Sequence, residues 1–483
     1  MDCKKENLIN PEIQLLQLPA SFHKKTRQNL IEAMKGVAQG KSIALFRGDT
    51  TKPIQDQDID ENFQQESNIF YLFGVNEPDC HAVLELDTGK SIIICPRIPE
   101  DYKLWMTVKE APYYKETYQV DEVKYDDEFE AYLIEKKPEE IHVYFGVDPD
   151  SGLTLPQPEQ AFLKNYKIVN DQMYHILNEL RVFKHQEEVD QMKFIGDISS
   201  EAHVRVMANT KPGIREYQME ALFKFHVQER TGSKEKSYDC ICASGNEGPS
   251  ILHYNENQRV VADNALILND MGSKYNGYCS DITVTFPSNG KFNDKQKEIY
   301  NAVYDAQISV LRAIKEGVQW QDMHHLAEQR ILEHLVKIGL VIQAPIEELV
   351  QKRVGAVFMP HGLGHLIGLR VHDVGGYAPG HPEKLKDLAG LRSLRTRRTL
   401  KAGMCISVEP GCYFNKVILE QAFNNPEVSK YLNKSKIEEY ACVGGVRLED
   451  DVLITKDGHF NLTNVPRTVE EVERACAGLP WKN

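Results

Sequence analysis

The chain has 483 residues, 41% hydrophobic and 27% charged. That is enough for two or three cored domains at about 150 residues each, and it excludes a fibrous or low-complexity protein. Asp and Glu number 71 against 57 Lys and Arg, a formal charge of −14, which argues against general affinity for nucleic-acid phosphates or anionic membranes.

Ten cysteines, from Cys3 to Cys476, are too few in so long a chain for a disulfide scaffold. The close pair Cys240 and Cys242 is spaced too tightly for a zinc knuckle and reads as reduced, partly buried strand residues. The N-terminal charges are not followed by an uninterrupted apolar core, and no apolar run reaches the roughly 18 to 20 residues that cross a bilayer. A cytoplasmic location is therefore expected.

In chain order, a helical pattern runs from Phe22 to Val37. It is followed by strand candidates KSIALF, NIFYLFGV, HAVLELD and SIIICP, a mixed α/β arrangement. Near Arg181 the pattern changes to a long helical one, HQEEVDQMKFIGDISSEAHVRVMANT, ended by Pro212 and Gly213. Two more helical patterns, IREYQMEALFKFHVQE and KQKEIYNAVYDAQISVLRAI, alternate with strand candidates DCICAS, NALILNDMG and GYCSDITVTFP. A last helix is expected after Thr468, which forms a capping-box pattern with Glu471.

Asp270 and Asp281 lie in two strand-like runs around the turn-forming segment GSKYNG, which predicts an antiparallel hairpin. Folded about its midpoint, between Tyr275 and Asn276, the segment sets the two aspartates directly opposite each other, with Cβ atoms about 5 Å apart. Opposed carboxylates withdrawn from water need a shared proton or a bound cation. An exposed hairpin edge would leave them simply solvated, and the pair alone leaves both readings open.

MPHGLGHLIGLRVHDVGGY holds His361, His365 and His372. Gly362 and Gly364 disfavour a helix between the first two, so they are expected on looped or extended chain and need not share one ion. Glu409 in MCISVEPGCYF and Glu449 in GGVRLEDDVLIT sit in short apolar runs, where a buried carboxylate must be paired or metal-bound. Strand alternation puts Arg447 on the face of Glu449, placed to orient that carboxylate.

Taken in order, HYNEN, NDMGSKYNGYCSDITVTFP, HGLGHLIGLRVHDVGG, SVEPGCYF and GGVRLEDDVLIT resemble the successive signatures of the pita-bread metallopeptidases, most closely the prolidase branch, which cleaves Xaa-Pro dipeptides. FQQESNIFYLFGVNEPD resembles that family's N-terminal domain, and GLRSLRTRRTL the stretch before its glutamate motif. The resemblance implies an α/β (α+β) fold, with a mixed α/β aminopeptidase-P-like domain at 1–180 followed by a pita-bread catalytic domain at 185–483.

The resemblance also implies two divalent metal ions held by Asp270, Asp281, His365, Glu409 and Glu449, with Asp281 and Glu449 bridging. Hydrolysis by metal-bound hydroxide follows, with Glu409 as proton carrier. His253 and His372 match the family's substrate-binding histidines, and Arg395 the arginine that clamps the dipeptide's C-terminal carboxylate; His361 and Arg447 are expected behind the ligands. Four carboxylates and one imidazole, with no thiolate, suit hard divalent ions, Mn²⁺ first, and their charge balances two dications.

An Xaa-Pro bond has no N–H to grip, so the two ends of a short substrate must be held, and a forked arginine suits the carboxylate end. An aminopeptidase P, which leaves that end open, is the alternative within the family; for Arg395 itself the alternative is a plain basic surface loop. All five ligand positions are filled, which disfavours a non-catalytic member. Related enzymes are commonly homodimers, so a homodimer is expected, with no nucleic-acid or membrane partner. Asn269 stands where the family commonly has an apolar or aromatic residue, and Arg370 where an aspartate is common; neither is a ligand, so both bear on the electrostatics of the pocket.

Overall fold

The computed structural model describes residues 13–158 and 160–482, so Cys3 lies outside the described residues. The chain divides into two compact units, Gln17–Arg181 and one built on Val182–Asn483.

The first unit contains α1 (Ala20–Met34), β1 (Ser42–Arg47), α2 (Ser67–Phe73), β2 (His81–Glu85), β3 (Ser91–Cys95), α3 (Ala111–Tyr118), β4 (Glu122–Tyr125), α4 (Phe129–Lys136), β5 (Glu140–Val143), β6 (Ile168–Val169) and α5 (Met173–Val182). Its strands form one sheet in the order β4-β3-β2-β1-β5-β6. Pairing is antiparallel through β1, β2 and β3 and parallel outside them. The strand SIIIC is buried throughout, as expected where a sheet is covered on both faces.

Two expectations are corrected in this unit. The first helix stops at Met34 rather than reaching Val37. NIFYLFGV, expected as a strand, is helix α2: the Glu66 carboxylate accepts from the N–H groups of Asn68 and Ile69 at 2.8 and 2.9 Å. Every residue of α2 is buried. A short apolar run has the same signature in a buried strand and a buried helix, and here the N-cap decides.

The second unit begins with α6 (Gln186–Asn209), α7 (Glu216–Thr231), β7 (Ile241–Ser244), β8 (Leu266–Asp270), β9 (Lys274–Tyr275), β10 (Tyr278–Cys279) and β11 (Thr283–Pro287). A helical stretch follows, α8 (Asp294–Ala313), α9 (Trp320–Lys337), α10 (Ile346–Gln351) and α11 (Gly355–Phe358). The chain ends with β12 (Cys405–Val408), β13 (Gly411–Tyr413), α12 (Lys416–Asn424), α13 (Pro426–Ser429), α14 (Lys434–Tyr440), β14 (Gly445–Arg447), β15 (Asp450–Ile454), β16 (His459–Asn461) and α15 (Val469–Cys476). Thr468 caps α15, its hydroxyl accepting from the Glu471 N–H while the Glu471 carboxylate accepts from the Thr468 N–H. Cys240 and Cys242 are free and buried; Cys242 lies in β7, whereas Cys240 falls just before it, outside the expected strand.

The strands form small antiparallel sheets, β11-β8-β7, β12-β15-β16 and the pairs β9-β10 and β13-β14, around a core that includes Ile267, Val303, Leu332, Ile406 and Val446. Two isolated bridges tie the sheets together, Thr283 to Glu449 and Leu366 to Ile406. They bring the end of β8, the start of β11, the histidine segment and the two glutamate segments to one place. Among the described residues no helix is long and apolar enough to cross a membrane.

The hairpin register differs from the expected one. Cys279 pairs with Lys274 and Thr283 with Asp270, so the turn is centred on Asn276 and Gly277, whose φ angles of 45° and 78° are the left-handed values that a two-residue type I′ turn requires. Asp270 therefore faces Thr283, and Asp281 lies diagonal to Asp270 instead of opposite. A two-residue shift keeps a side chain on its face, so the two aspartates still point to the same side.

Candidate active site

A cavity of about 300 Å³ in the second unit is lined by Asp270, Asp281, His365, Glu409 and Glu449, and also by His253, His361, His372, Arg395 and Arg447. All ten residues singled out in the sequence thus face one space. Asp281, His365 and Glu449 each offer a ligand atom, and these atoms lie within 4.8 Å of one another.

Hydrogen bonds donated by the backbone N–H fix four of the five ligand residues. The Asp281 N–H donates to Asp451 Oδ2 at 2.7 Å and the Glu449 N–H to the Thr283 carbonyl at 3.1 Å. The Glu409 N–H donates to the Leu363 carbonyl at 2.8 Å. The His365 N–H donates to Ser407 Oγ at 3.1 Å, while the indole of the fully buried Trp320 donates to the neighbouring Gly364 carbonyl.

The histidine tautomers follow from their partners. His365 Nδ1 lies 3.1 Å from the Leu366 carbonyl, so it carries the proton and leaves Nε2 facing Asp281 Oδ2 at 3.3 Å and Glu409 Oε1 at 3.7 Å. That is the orientation of an imidazole offered to a cation. His361 Nδ1 donates to the Gly362 carbonyl at 2.7 Å, so its Nε2 accepts from the Tyr413 hydroxyl at 2.8 Å. His361 stands beside Glu409, 3.8 Å from Oε2.

Electrostatics mark the cage as short of positive charge. Burial, and then the charge of Asp281, push Glu449 well above the usual carboxylate range. Glu409 is pushed up to about 7, by burial first and with the Asp281 charge adding to it against the pull of His365. Asp270 is raised by burial despite the opposing charge of Arg447. Burial would also raise Asp281, but its hydrogen bond and charge pairing with His365 leave it lowered. Desolvation and the charges of His365 and Arg395 lower His372 to about 3, so it is a neutral hydrogen-bonding group.

Asp270 Oδ1 is buried with no hydrogen-bond partner, a cost that a bound cation would remove. Together with the clustered oxygens and the His365 Nε2 turned toward them, this makes the residues present fit divalent metal ions.

Arg447 corrects one expectation. Its guanidinium donates to Asp270 Oδ2 at 2.7 Å, to Thr283 Oγ1 at 3.2 Å and to the Tyr413 hydroxyl at 3.0 Å. The carboxylate it orients directly is Asp270, while Glu449 receives the Thr283 hydroxyl at 2.7 Å. The register that set Thr283 opposite Asp270 puts the threonine between the arginine and the glutamate.

Four supporting residues were not singled out in the sequence: Thr283, Asp451, Tyr413 and Tyr238. Asp451 follows Glu449 by two positions in LEDD, a period-two spacing that could have marked it. Tyr238 lines the cavity, and its phenol is raised well above its usual value by burial and then by the charges of Asp270, Asp281 and Glu449; no motif marks it.

The family model of metallopeptidase family M24 matches residues 190–456, and that of the aminopeptidase P N-terminal domain matches residues 23–144. The chain is 41% identical to a mouse protein named Xaa-Pro dipeptidase, over 96% of this chain and 95% of the mouse protein, and 40% identical to the human protein of that name with the same coverage. A Sordaria macrospora protein named probable Xaa-Pro aminopeptidase is 35% identical over 93% of this chain and 95% of its own. Among solved structures, Pseudomonas aeruginosa aminopeptidase PepP superposes with a TM-score of 0.78 at 28% identity, covering 96% of this chain and 99% of the other. Escherichia coli aminopeptidase P with the inhibitor Pro-Leu gives 0.78 at 27% identity, with the same coverage.

Fold and relatives together define a metal-dependent hydrolase with the pita-bread architecture and an aminopeptidase-P-type N-terminal domain. The chain belongs to metallopeptidase family M24.

Proposed function

We propose that this chain is a metal-dependent Xaa-Pro dipeptidase, with an N-terminal domain at 1–180 and a catalytic domain at 185–483. The observation that carries the reading is that Arg395 lines the same cavity of about 300 Å³ as the five acid and imidazole groups. A cavity of that size suits a dipeptide, and a guanidinium there would meet the free carboxylate of a C-terminal proline.

In this reading Asp270, Asp281, His365, Glu409 and Glu449 would hold two divalent ions, Mn²⁺ first. Bound ions of this kind lower the pKa of a water and polarise a carbonyl. The chain's own groups do the rest. Glu409 accepts the proton of the attacking water and returns it to the proline nitrogen as the bond breaks. His253 and His372 bind the substrate and donate to the carbonyl oxygen as it gains negative charge. Arg395 fixes the proline carboxylate, which replaces the missing N–H as the handle for register.

The higher identity to proteins named Xaa-Pro dipeptidase supports this over the aminopeptidase alternative, which the fungal relatives keep in view. A homodimer and a cytoplasmic setting complete the proposal; the free cysteines among the described residues support a reducing compartment. Kinetics on Ala-Pro and Ala-Pro-Ala separate the two enzyme readings. The proposal expects the dipeptide to be the better substrate, and equal or faster release of alanine from the tripeptide would select the aminopeptidase. Light scattering of the eluted protein tests the dimer.

A further inference from the structure

Asp373 directly follows the cavity residue His372, and its Oδ2 lies 3.2 Å from Nζ of Lys184, with the two side chains only 2% and 1% exposed. The Asp373 N–H donates to the Leu366 carbonyl at 2.8 Å. That bond closes residues 366–373 into a loop with His365 and His372 at its two ends, and their rings stand edge to face with centroids 4.5 Å apart. Lys184 is itself anchored, its N–H donating to the Gly403 carbonyl at 2.8 Å, just before α6 begins.

The loop is shaped around this ion pair. A Cβ built on Gly368 would lie 2.4 Å from Asp373 Oδ2 and 2.7 Å from Lys184 Cε, so a glycine there leaves the room the pair occupies. Behind it Glu188 is held by the Tyr278 hydroxyl and the His185 N–H, both at 2.8 Å. The ammonium therefore touches one acidic group, Asp373, and its charge also reaches Glu188. Without the lysine, Asp373 would be a buried charge without this counter-ion, and the loop would have to shift to bring it to water.

We propose that Lys184 is a positioning residue for the dipeptidase reaction: through its buried ion pair with Asp373 it fixes the loop from which His372 meets the substrate. This rests on the dipeptidase reading, and the test distinguishes the two. Full-length, metal-loaded protein is assayed for kcat and KM on Gly-Pro, with metal content measured on each sample, for wild type, Lys184→Met, His372→Ala, the double variant Lys184→Met/His372→Ala, and Lys184→Met/Asp373→Asn.

Lys184→Met is expected to lower kcat/KM about 10- to 100-fold, the scale of a small misplacement of a binding group, with metal content unchanged. Because the lysine acts through the histidine, adding Lys184→Met to His372→Ala should cost less than about twofold more. Removing both charges in Lys184→Met/Asp373→Asn should recover most of the loss. The proposal is overturned if Lys184→Met stays within about twofold of wild type, if its loss multiplies in the His372→Ala background, or if activity falls in proportion to metal content. If Lys184→Met does not fold, Gly368→Ala keeps both charges but crowds the pair; it must then show the same loss and the same non-additivity with His372→Ala, and their absence overturns the proposal. Wild-type protein inactive on Gly-Pro would overturn the dipeptidase reading itself, a result visible before any variant is compared.

Discussion

Arg447 and Asp270 form a buried ion pair, Nη2 donating to Oδ2 at 2.7 Å, with side chains 4% and 12% exposed. The pair lies at the edge of the acidic cage and supplies it with a fixed positive charge. The same guanidinium reaches Tyr413, which in turn donates to His361, so one side chain aligns both a carboxylate and a histidine of the cavity. Arg447→Met is expected to lower kcat/KM on Gly-Pro about 10- to 100-fold at saturating metal, the usual effect of losing a group that orients a ligand. Unchanged kinetics would show that Asp270 needs no such support.

In the proposed reading Arg395, which lines the cavity, sets substrate length. A charge-assisted hydrogen bond to a carboxylate contributes about 1.5–3 kcal/mol, so Arg395→Ala should reduce kcat/KM for Xaa-Pro dipeptides by roughly one to two orders of magnitude. A neutral dipeptide amide, Gly-Pro-NH₂, lacks the carboxylate and should lose far less. Equal losses on acid and amide would remove the clamp.

Another buried ion pair, between Arg353 and Glu328, governs stability rather than chemistry. Arg353 grips Glu328 with both nitrogens, at 2.6 and 2.5 Å, and the glutamate side chain is fully buried. Burial alone would raise Glu328, but the imidazoles of His324 and His325, 3.7 and 3.4 Å from its oxygens, and the charge of Arg353 hold it at about 2 against the usual 4.5. A folded value below the unfolded one means stability that is fully present above about pH 4.5 and is lost as pH falls toward 2. Glu328→Gln should therefore destabilise the protein by about 3–5 kcal/mol near neutral pH, the cost of breaking a buried pair. The deficit should shrink in urea titrations repeated at successively lower pH, below 4. A pH-independent deficit would contradict this.

The sequence revealed the residues of the site more readily than their contacts. All ten could be named because each lies in a stretch that the family resemblance singles out, and all ten line one cavity. The register between them was not readable. The midpoint of GSKYNG is a poor guide when Asn276 and Gly277 can both take left-handed φ and move the turn centre along the chain. That displacement set Thr283 opposite Asp270 and made Arg447 a partner of Asp270 rather than of Glu449. NIFYLFGV misled for a related reason, because nothing in an all-apolar run distinguishes strand from helix until the Glu66 cap is weighed. Lys184 and Asp451 act across more than 150 residues of sequence, a separation at which only the folded chain shows the partner.

In the proposed function the cage of Asp270, Asp281, His365, Glu409 and Glu449 supports cleavage of Xaa-Pro dipeptides by holding divalent metal. The most direct test is Gly-Pro hydrolysis by protein stripped with chelator and then given single divalent ions, with Asp281→Asn treated alike. Stripped protein should show no hydrolysis, one added divalent ion, Mn²⁺ foremost, should restore it, and the variant should not recover. Hydrolysis that survives complete metal removal, or a wild-type rate in Asp281→Asn, would contradict the proposed function.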